Sequence, residues 1–131
     1  MGLTERELAL RRTIFEAFAA TGGPPQVDDI VTLRSLAEQH VVVLGDEDRI
    51  VMAHPFAAHD DGARVEAGER TWRGSCAWDA FGIIAALGLG EALVTDASGV
   101  RIAFREGRPV DDAVFHVAVP AAQWWADIGF T

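Results

Sequence analysis

Cys76 and Asp79 are the residues of this sequence whose types and spacing most directly suggest chemistry. Cys76 is the one cysteine among 131 residues, and Asp79 follows three positions later in the otherwise apolar segment AWDAFGIIAALGLG, which begins at Ala77. Residues three apart on a helix are neighbours on its surface, so a helix that begins near Cys76 would bring the thiol and the carboxyl group to one face. We therefore interpret this pair as the candidate catalytic site.

Each of the two side chains has a chemical and a structural interpretation. A thiol at a helix N-terminus meets unpaired backbone N–H groups that favour the thiolate, and Arg73 would add positive charge. A lone cysteine is also often just a small buried apolar residue. A carboxyl group removed from water holds its proton more readily, as a general acid must. Asp79 would alternatively bond backbone N–H groups or an arginine, and the residues alone leave these alternatives open.

The four histidines, His40, His54, His59 and His116, add no recognisable metal motif. They show no HxxxH or CxxC spacing, so a closed zinc site is not predicted. We predict that His116 is a core residue of a strand, that His54 lines a site and that His59 is a solvated loop residue. A Cys–His–Asp arrangement for nucleophilic catalysis is compatible with the composition, but no spacing selects the base. The sequence has no phosphate-binding glycine loop, and no cofactor is predicted.

Composition restricts the partners and the compartment. The chain has 20 acidic and 11 basic residues, the latter all arginine, for a net charge of −9. So acidic a chain repels phosphate backbones, which disfavours nucleic acid as a partner. No apolar run reaches the roughly 18–20 residues of a membrane span, so no membrane partner is predicted. A single cysteine excludes an internal disulfide, and the first residues lack the features of a signal peptide, so we predict a cytoplasmic protein.

The first 53 residues follow the pattern of a winged helix, which is three helices and then a hairpin. The predicted elements are a helix at residues 4–20, short helices at 27–31 and 33–40, and a hairpin with strands at 40–44 and 49–53. Thr4 and Glu7 form a capping box for the first helix, and Thr32 would cap the third. The predicted reading helix and the turn of the wing are acidic, which argues against contact with DNA.

The remaining residues predict strands around the helix that carries Cys76. The predicted elements are strands at 64–66, 70–72, 91–95, 100–105 and 113–119, a helix from 75 or 76 to 87, and a last helix at 121–128. We therefore predict an α+β fold with two parts. A winged-helix-like lobe at residues 1–53 packs on a small, mostly antiparallel sheet at residues 54–131, with the Cys76 helix at its centre.

Several short motifs are similar, in this order, to those of one protein family. They are His54-Pro55-Phe56-Ala57-Ala58, Arg64-Val65, Cys76-Ala77-Trp78-Asp79, and Val114-Phe115-His116-Val117-Ala118-Val119-Pro120, which leads to Trp124-Trp125-Ala126-Asp127-Ile128-Gly129-Phe130-Thr131. Together with the winged-helix-like lobe they resemble the alkylmercury (organomercurial) lyases over most of the chain. The Cys-Ala-x-Asp tetrapeptide alone is weak evidence for the family. The order and spacing of all the motifs make the resemblance specific.

The resemblance implies protonolysis of a carbon–mercury bond. By analogy the Cys76 thiolate attacks mercury, and Asp79 takes part in delivering the proton that releases the hydrocarbon. Cys76 and Asp79 would then be the ligands of mercury in substrate or product, which suits a soft metal and a thiolate. The implied partner is a small organomercurial or a soft metal ion. No cofactor is implied beyond external thiols that take up the product.

The sequence departs from the family at the position of a second cysteine. In sequences of this type that cysteine directly follows a Gly-Phe-Thr segment, and here Gly129-Phe130-Thr131 are the last residues given. Either the sequence is truncated before the second thiol, or Asp79 or small thiols replace it as mercury ligands. Two other hypotheses follow. One is a non-catalytic module that binds a soft metal or a small apolar ligand, and the other is an acidic winged-helix regulator.

Overall fold

The computed structural model describes residues 2–110. The predicted strand at 113–119, the predicted helix at 121–128, His116 and the Gly129-Phe130-Thr131 segment lie outside the described residues. Three α-helices lie within them: α1 (Glu5–Thr21), α2 (Ile30–Glu38) and α3 (Ala77–Leu87). The strands are β1 (Val43–Leu44), β2 (Ile50–Ala53), β3 (Phe56–Ala57), β4 (Ala63–Ala67), β5 (Arg70–Gly74), β6 (Ala92–Thr95), β7 (Arg101–Arg105) and β8 (Arg108–Pro109).

The signals that predicted the first helix also determine where it begins and ends. The Thr4 side chain accepts a hydrogen bond from the backbone N–H of Glu7 at 3.1 Å, which satisfies one of the free donors of the first turn. The helix ends before Gly22, whose φ of 79° suits a residue without a side chain. Ile14 and Phe18, one turn apart, are fully buried on the inner face of α1. The predicted helix at 4–20 is thus confirmed.

The two short helices predicted between residues 27 and 40 are wrong, because the structure has the single helix α2 there. Its N-cap is Asp29 rather than Thr32. The Asp29 carboxylate accepts hydrogen bonds from the Thr32 backbone N–H at 3.2 Å and from the Thr32 hydroxyl at 2.6 Å. Both residue types are good caps, and the aspartate lies at the position from which it reaches the free N–H groups. Between residues 2 and 53, two α-helices therefore precede the hairpin, instead of three.

The strands form two antiparallel sheets. The predicted hairpin of the first 53 residues is confirmed, since β1 pairs with β2, and β3 completes a three-stranded sheet in the order β1-β2-β3. The second sheet has five strands in the order β5-β4-β6-β7-β8. Helix α3 packs against β4, β5 and β6 of this sheet. The α+β class predicted from the sequence is thereby confirmed, and the Cys76 helix has the expected place on the sheet.

One hydrophobic core joins α1 to α3. It includes Ile14 and Phe18 from α1, Trp72 from β5 and Ile83 from α3, each at most 1% exposed. The rings of Phe18 and Phe56 stack with their centroids 5.4 Å apart. The division into units at residues 1–53 and 54–131 stays a prediction, as does the winged-helix interpretation of the first unit. The core itself is shared by residues from both.

We give the name Trp72 joint to the contact of Arg70 and Trp72 with Ala19. The indole N–H of Trp72 donates to the backbone oxygen of Ala19 at 2.9 Å, and the Arg70 guanidinium donates to the same oxygen at 2.7 Å. The guanidinium also lies 4.6 Å from the centre of the indole ring. Trp72 is only 1% exposed, so the joint is both packed and hydrogen-bonded. It attaches the end of α1 to the strand that leads into α3.

Candidate functional site

The turn between β5 and α3 places Cys76 at the start of its helix. Strand β5 ends at Gly74, and Cys76 is the N-cap of α3, with extended backbone angles of φ −150° and ψ 175°. The backbone oxygen of Cys76 accepts from the N–H of Ala80 at 3.0 Å, which is the first hydrogen bond of the helix. The prediction that a helix begins at this cysteine is confirmed.

The electrostatics of Cys76 differ from the sequence-based expectation. Burial is the largest effect, and it raises the pKa of the Cys76 thiol. The charge of Asp79 raises the pKa further, whereas the nearby backbone N–H groups of Asp79 and Trp78 lower it. The pKa of Cys76 is above the ordinary thiol value because burial outweighs the lowering by the helix start. Of the two interpretations of Cys76, this direction favours the partly buried thiol over the thiolate. Arg73 pairs with Asp60, with 3.5 Å between Nε and Oδ1.

Asp79 lies in the first turn of α3, where its side chain is 17% exposed. Its Oδ2 is 3.6 Å from Nδ1 of His54, whose side chain is 32% exposed. That separation is longer than a hydrogen bond but short enough for direct electrostatic interaction. The sequence did not select which histidine would stand beside the Cys–Asp pair. The structure brings His54 to Asp79, and the prediction that His54 lines the site agrees with this position.

His59 lies in a loop, as predicted, but its side chain is half-buried instead of solvated, and it belongs to a different arrangement. Its side chain is 26% exposed, with Nε2 3.4 Å from the hydroxyl oxygen of Ser75. Nδ1 of the same ring contacts the carboxylate of Asp61. The Ser75 hydroxyl is also 3.4 Å from the sulfur of Met52. Sequence reasoning missed Ser75, although it directly precedes the candidate cysteine, because no local pattern connects it with a residue 16 positions away.

Close backbone packing holds the loop that carries His59 against the start of α3. A side chain at Gly62 would collide with the backbone oxygen of Gly74 and would lie 2.9 Å from that of Ser75. A side chain at Gly74 would lie 3.0 Å from Cβ of Asp79. The two glycines therefore allow loop, strand end and helix to stack at backbone contact. The position of Asp79 depends on this stacking.

The described residues contain no group of three or more His, Cys, Asp or Glu side chains that would hold a metal ion. Within residues 2–110, Cys76 and Asp79 thus remain the predicted pair of mercury ligands, without a third member from these residue types. The same part of the chain has no helix of the length and apolarity that crossing a membrane requires.

In the predicted winged-helix-like lobe, Arg34 forms a bidentate ion pair with Asp48, with N–O distances of 3.0 and 2.7 Å.

Comparisons with known proteins give one structural likeness. The fold is similar to the crystal structure of the mercury-bound form of MerB2, with a TM-score of 0.64 and 17% sequence identity over 83% of this chain. The chain spans 60% of the length of that neighbour. No protein-family model matches the sequence, and no curated protein does either. At this identity the likeness shows a MerB-like fold.

Proposed function

We propose that this protein is an organomercurial-lyase-like protein that cleaves carbon–mercury bonds by protonolysis. The observation that carries the proposal is the position of Cys76 at the N-cap of α3 with Asp79 in the first turn, on a fold similar to that of mercury-bound MerB2. The resemblance of the sequence motifs to the alkylmercury lyases points to the same chemistry. A soft thiolate is the preferred protein ligand of a soft metal such as mercury.

In the proposed reaction one proton moves from sulfur to carbon. The Cys76 thiol is held above its ordinary pKa, so it is protonated at neutral pH and must give up its proton when its sulfur bonds to mercury. The carboxylate of Asp79, one helical turn away, accepts this proton. Asp79 then donates it to the carbon atom bound to mercury, the carbon–mercury bond breaks, and the hydrocarbon leaves. Mercury(II) stays on the Cys76 sulfur until external thiols remove it.

The surroundings of Asp79 suit such a proton carrier. Its side chain is mostly buried, which keeps bulk water from competing for the proton. His54 beside it offers an imidazole that stabilises the carboxylate electrostatically when protonated. Both side chains are nevertheless partly exposed, so a small organomercurial has access to them from solvent.

The test is the release of hydrocarbon from a simple organomercurial, such as phenylmercury acetate, in the presence of excess thiol. We expect benzene in amounts that exceed the protein concentration. Cys76→Ser should abolish this release, and Asp79→Asn should reduce it by about 100-fold, the usual contribution of a general acid. Ser98→Ala, an exposed substitution outside the site, is the matched control. Absence of benzene, or undiminished release by Cys76→Ser, would refute the proposal.

The second candidate function is a binding module that holds a soft metal at Cys76 without turnover. It is favoured by the described residues, 2–110, in which no third His, Cys, Asp or Glu side chain joins Cys76 and Asp79 in a group that would hold a metal ion. This hypothesis predicts binding of one mercury(II) ion per chain. That ion should protect Cys76 from alkylation by iodoacetamide while phenylmercury stays intact. Release of benzene beyond one equivalent would exclude the binding module.

The regulator hypothesis has less support. Arg34, the one basic residue in the predicted reading helices, is engaged by Asp48, so its guanidinium is not available to a phosphate without loss of that pair. The net charge of −9 also disfavours binding to the phosphates of DNA. Salt-dependent binding of duplex DNA would revive this hypothesis. The cytoplasmic location remains a prediction from the composition.

A further inference from the structure

Ser75, His59 and Asp61 are in contact in that order, and mercury chemistry does not use them. Nε2 of His59 is 3.4 Å from the Ser75 hydroxyl oxygen, and Nδ1 on the other side of the ring contacts the Asp61 carboxylate. A hydroxyl, an imidazole and a carboxylate in this order constitute the general pattern of an activated serine. The three residues come from the loop at 58–62 and from the turn before α3, two segments that the close packing of Gly62 holds together.

The contact with Asp61 determines how the imidazole would act. Nδ1 lies beside the Asp61 carboxylate but makes no hydrogen bond to it in this geometry. The negative charge there favours the tautomer with its proton on Nδ1, which leaves the lone pair of Nε2 available to Ser75. The Ser75 hydroxyl has one proton to donate and two neighbours, Nε2 of His59 and the sulfur of Met52, both at 3.4 Å. An imidazole nitrogen is a much better acceptor than a thioether. An unprotonated Nε2 therefore competes with the Met52 sulfur for the proton of Ser75 and is the stronger acceptor.

The adjacent helix supplies donors for a developing negative charge. Ser75 stands one residue before the N-cap of α3, an 11-residue helix. As at the start of any α-helix, the N–H groups of the first turn have no carbonyl partner within the helix. Such donors stabilise the oxyanion that forms when a nucleophile adds to a carbonyl group. A nucleophile and oxyanion donors thus lie next to each other in the chain.

We propose that Ser75 is a nucleophile for small activated esters, with His59 as its general base and Asp61 as the positioning residue. The Ser75 oxygen bonds to the carbonyl carbon of the ester as its proton passes to Nε2 of His59. The bond from that carbon to the alcohol oxygen breaks, and His59 returns the proton to the leaving alcohol. A water molecule, deprotonated in turn by His59, then releases the carboxylic acid and restores Ser75. No step involves mercury or Cys76, so this activity is independent of the lyase-like function.

The test is hydrolysis of p-nitrophenyl acetate by the Cys76→Ala protein, in which no thiol reacts with the ester. We expect a burst of p-nitrophenol followed by steady turnover. Adding Ser75→Ala or His59→Gln should lower the rate by about 100-fold or to the buffer background. Adding Asp61→Asn should lower kcat by about fivefold at most and leave KM unchanged, because this carboxylate is 87% exposed and its interactions are screened.

The matched control is Ser98→Ala in the same background. The hydroxyl of Ser98 also bonds an aspartate, Asp96, at 2.7 Å, and its loss should not change the rate. Phenylmethanesulfonyl fluoride provides a readout that needs no Ser75 variant, because mass spectrometry of the treated Cys76→Ala protein should find the sulfonyl group on Ser75. Hydrolysis at the buffer rate by the Cys76→Ala protein, full activity of Ser75→Ala, or a label on another residue would each overturn the proposal.

Discussion

The Trp72 joint and the start of α3 lie four residues apart in the sequence but differ in burial and in hydrogen bonding. At the joint, a fully buried indole and an arginine both donate to one backbone oxygen of α1. At the start of α3, Cys76 and Asp79 are partly exposed, and Nδ1 of His54 lies 3.6 Å from the Asp79 carboxylate. The first region contributes stability, and the second retains groups that can still exchange protons and bind ligands.

The difference shows how a short chain combines a rigid frame with reactive groups. Strand β5 carries the joint in its middle and delivers Cys76 at its end. Because the joint attaches β5 to α1, the start of α3 need not contribute much stability of its own. Substitutions should therefore separate the two regions, with large losses of stability at the joint and changes of reactivity without such losses at the start of α3.

The largest effect on stability is expected from Trp72→Ala. It removes a buried aromatic side chain and one hydrogen bond, and such truncations cost about 3–5 kcal/mol. The measurement is the free energy of unfolding in urea. Trp78→Ala is the matched control, because Trp78 is 61% exposed and its loss should cost less than about 0.5 kcal/mol. Equal losses at the two tryptophans would contradict the assignment of the joint as the stabilising region.

A smaller loss of stability is expected from Gly62→Ala, together with a change at the site. The new methyl group would collide with the backbone of Gly74, and overpacking of this kind costs about 1–3 kcal/mol. Displacement of the loop should also change the rate at which iodoacetamide alkylates Cys76. Gly90→Ala is the control, since a methyl group there meets no atom within 4 Å. An unaltered alkylation rate in a destabilised Gly62→Ala protein would show that the stacking does not reach the thiol.

The smallest loss of stability, with a gain in reactivity, is expected from Asp79→Asn. Removal of the negative charge lowers the pKa of Cys76, which that charge helps to raise. More thiolate is then present at neutral pH, and alkylation by iodoacetamide should become up to about tenfold faster, the factor that corresponds to one pKa unit. The alkylation rate measured against pH should have its midpoint at a lower pH than in the original protein.

The control for this substitution is Glu91→Gln, which removes an acidic charge beyond the opposite end of α3. An α-helix rises about 1.5 Å per residue, so this charge lies beyond the range of effective interaction with Cys76 at physiological salt. Its alkylation profile should coincide with that of the original protein. A shift of the Asp79→Asn midpoint to higher pH would mean that the carboxylate stabilises the thiolate, contrary to the charge effect inferred from the structure.

The parts of the fold that the sequence predicted well depend on local signals. The Thr4 cap and the Gly22 terminus determine α1 within its own residues, and the hairpin from β1 to β2 follows from two apolar runs around a polar turn. The start of α2 was predicted wrongly because Asp29 and Thr32 are both capping residues three positions apart. Local preference does not decide between them, whereas the hydrogen bonds in the folded chain do.

Of the candidate site, only the pair of residues that lie close together in the sequence could be predicted. Cys76 and Asp79 are one helical turn apart, so periodicity alone brings them together. The approach of His54 to Asp79 and of His59 to Ser75 joins residues 25 and 16 positions apart along the chain. Contacts of that kind have no periodic signature in a single sequence. The raised pKa of Cys76 was missed for a similar reason, since burial, its main cause, depends on what packs over the helix start.

The Trp72 joint also has a consequence for the order of folding. Helix α1 has no basic residue in its last turn, and the cation that complements its negative end is Arg70, 51 residues further along the chain. The indole donor to the same oxygen is 53 residues away. Contacts over such separations form late, because closing the intervening loop costs entropy first. A peptide of residues 2–23 should therefore fray at its C-terminal end, and α1 becomes complete only after β5 has been synthesised and has docked against it.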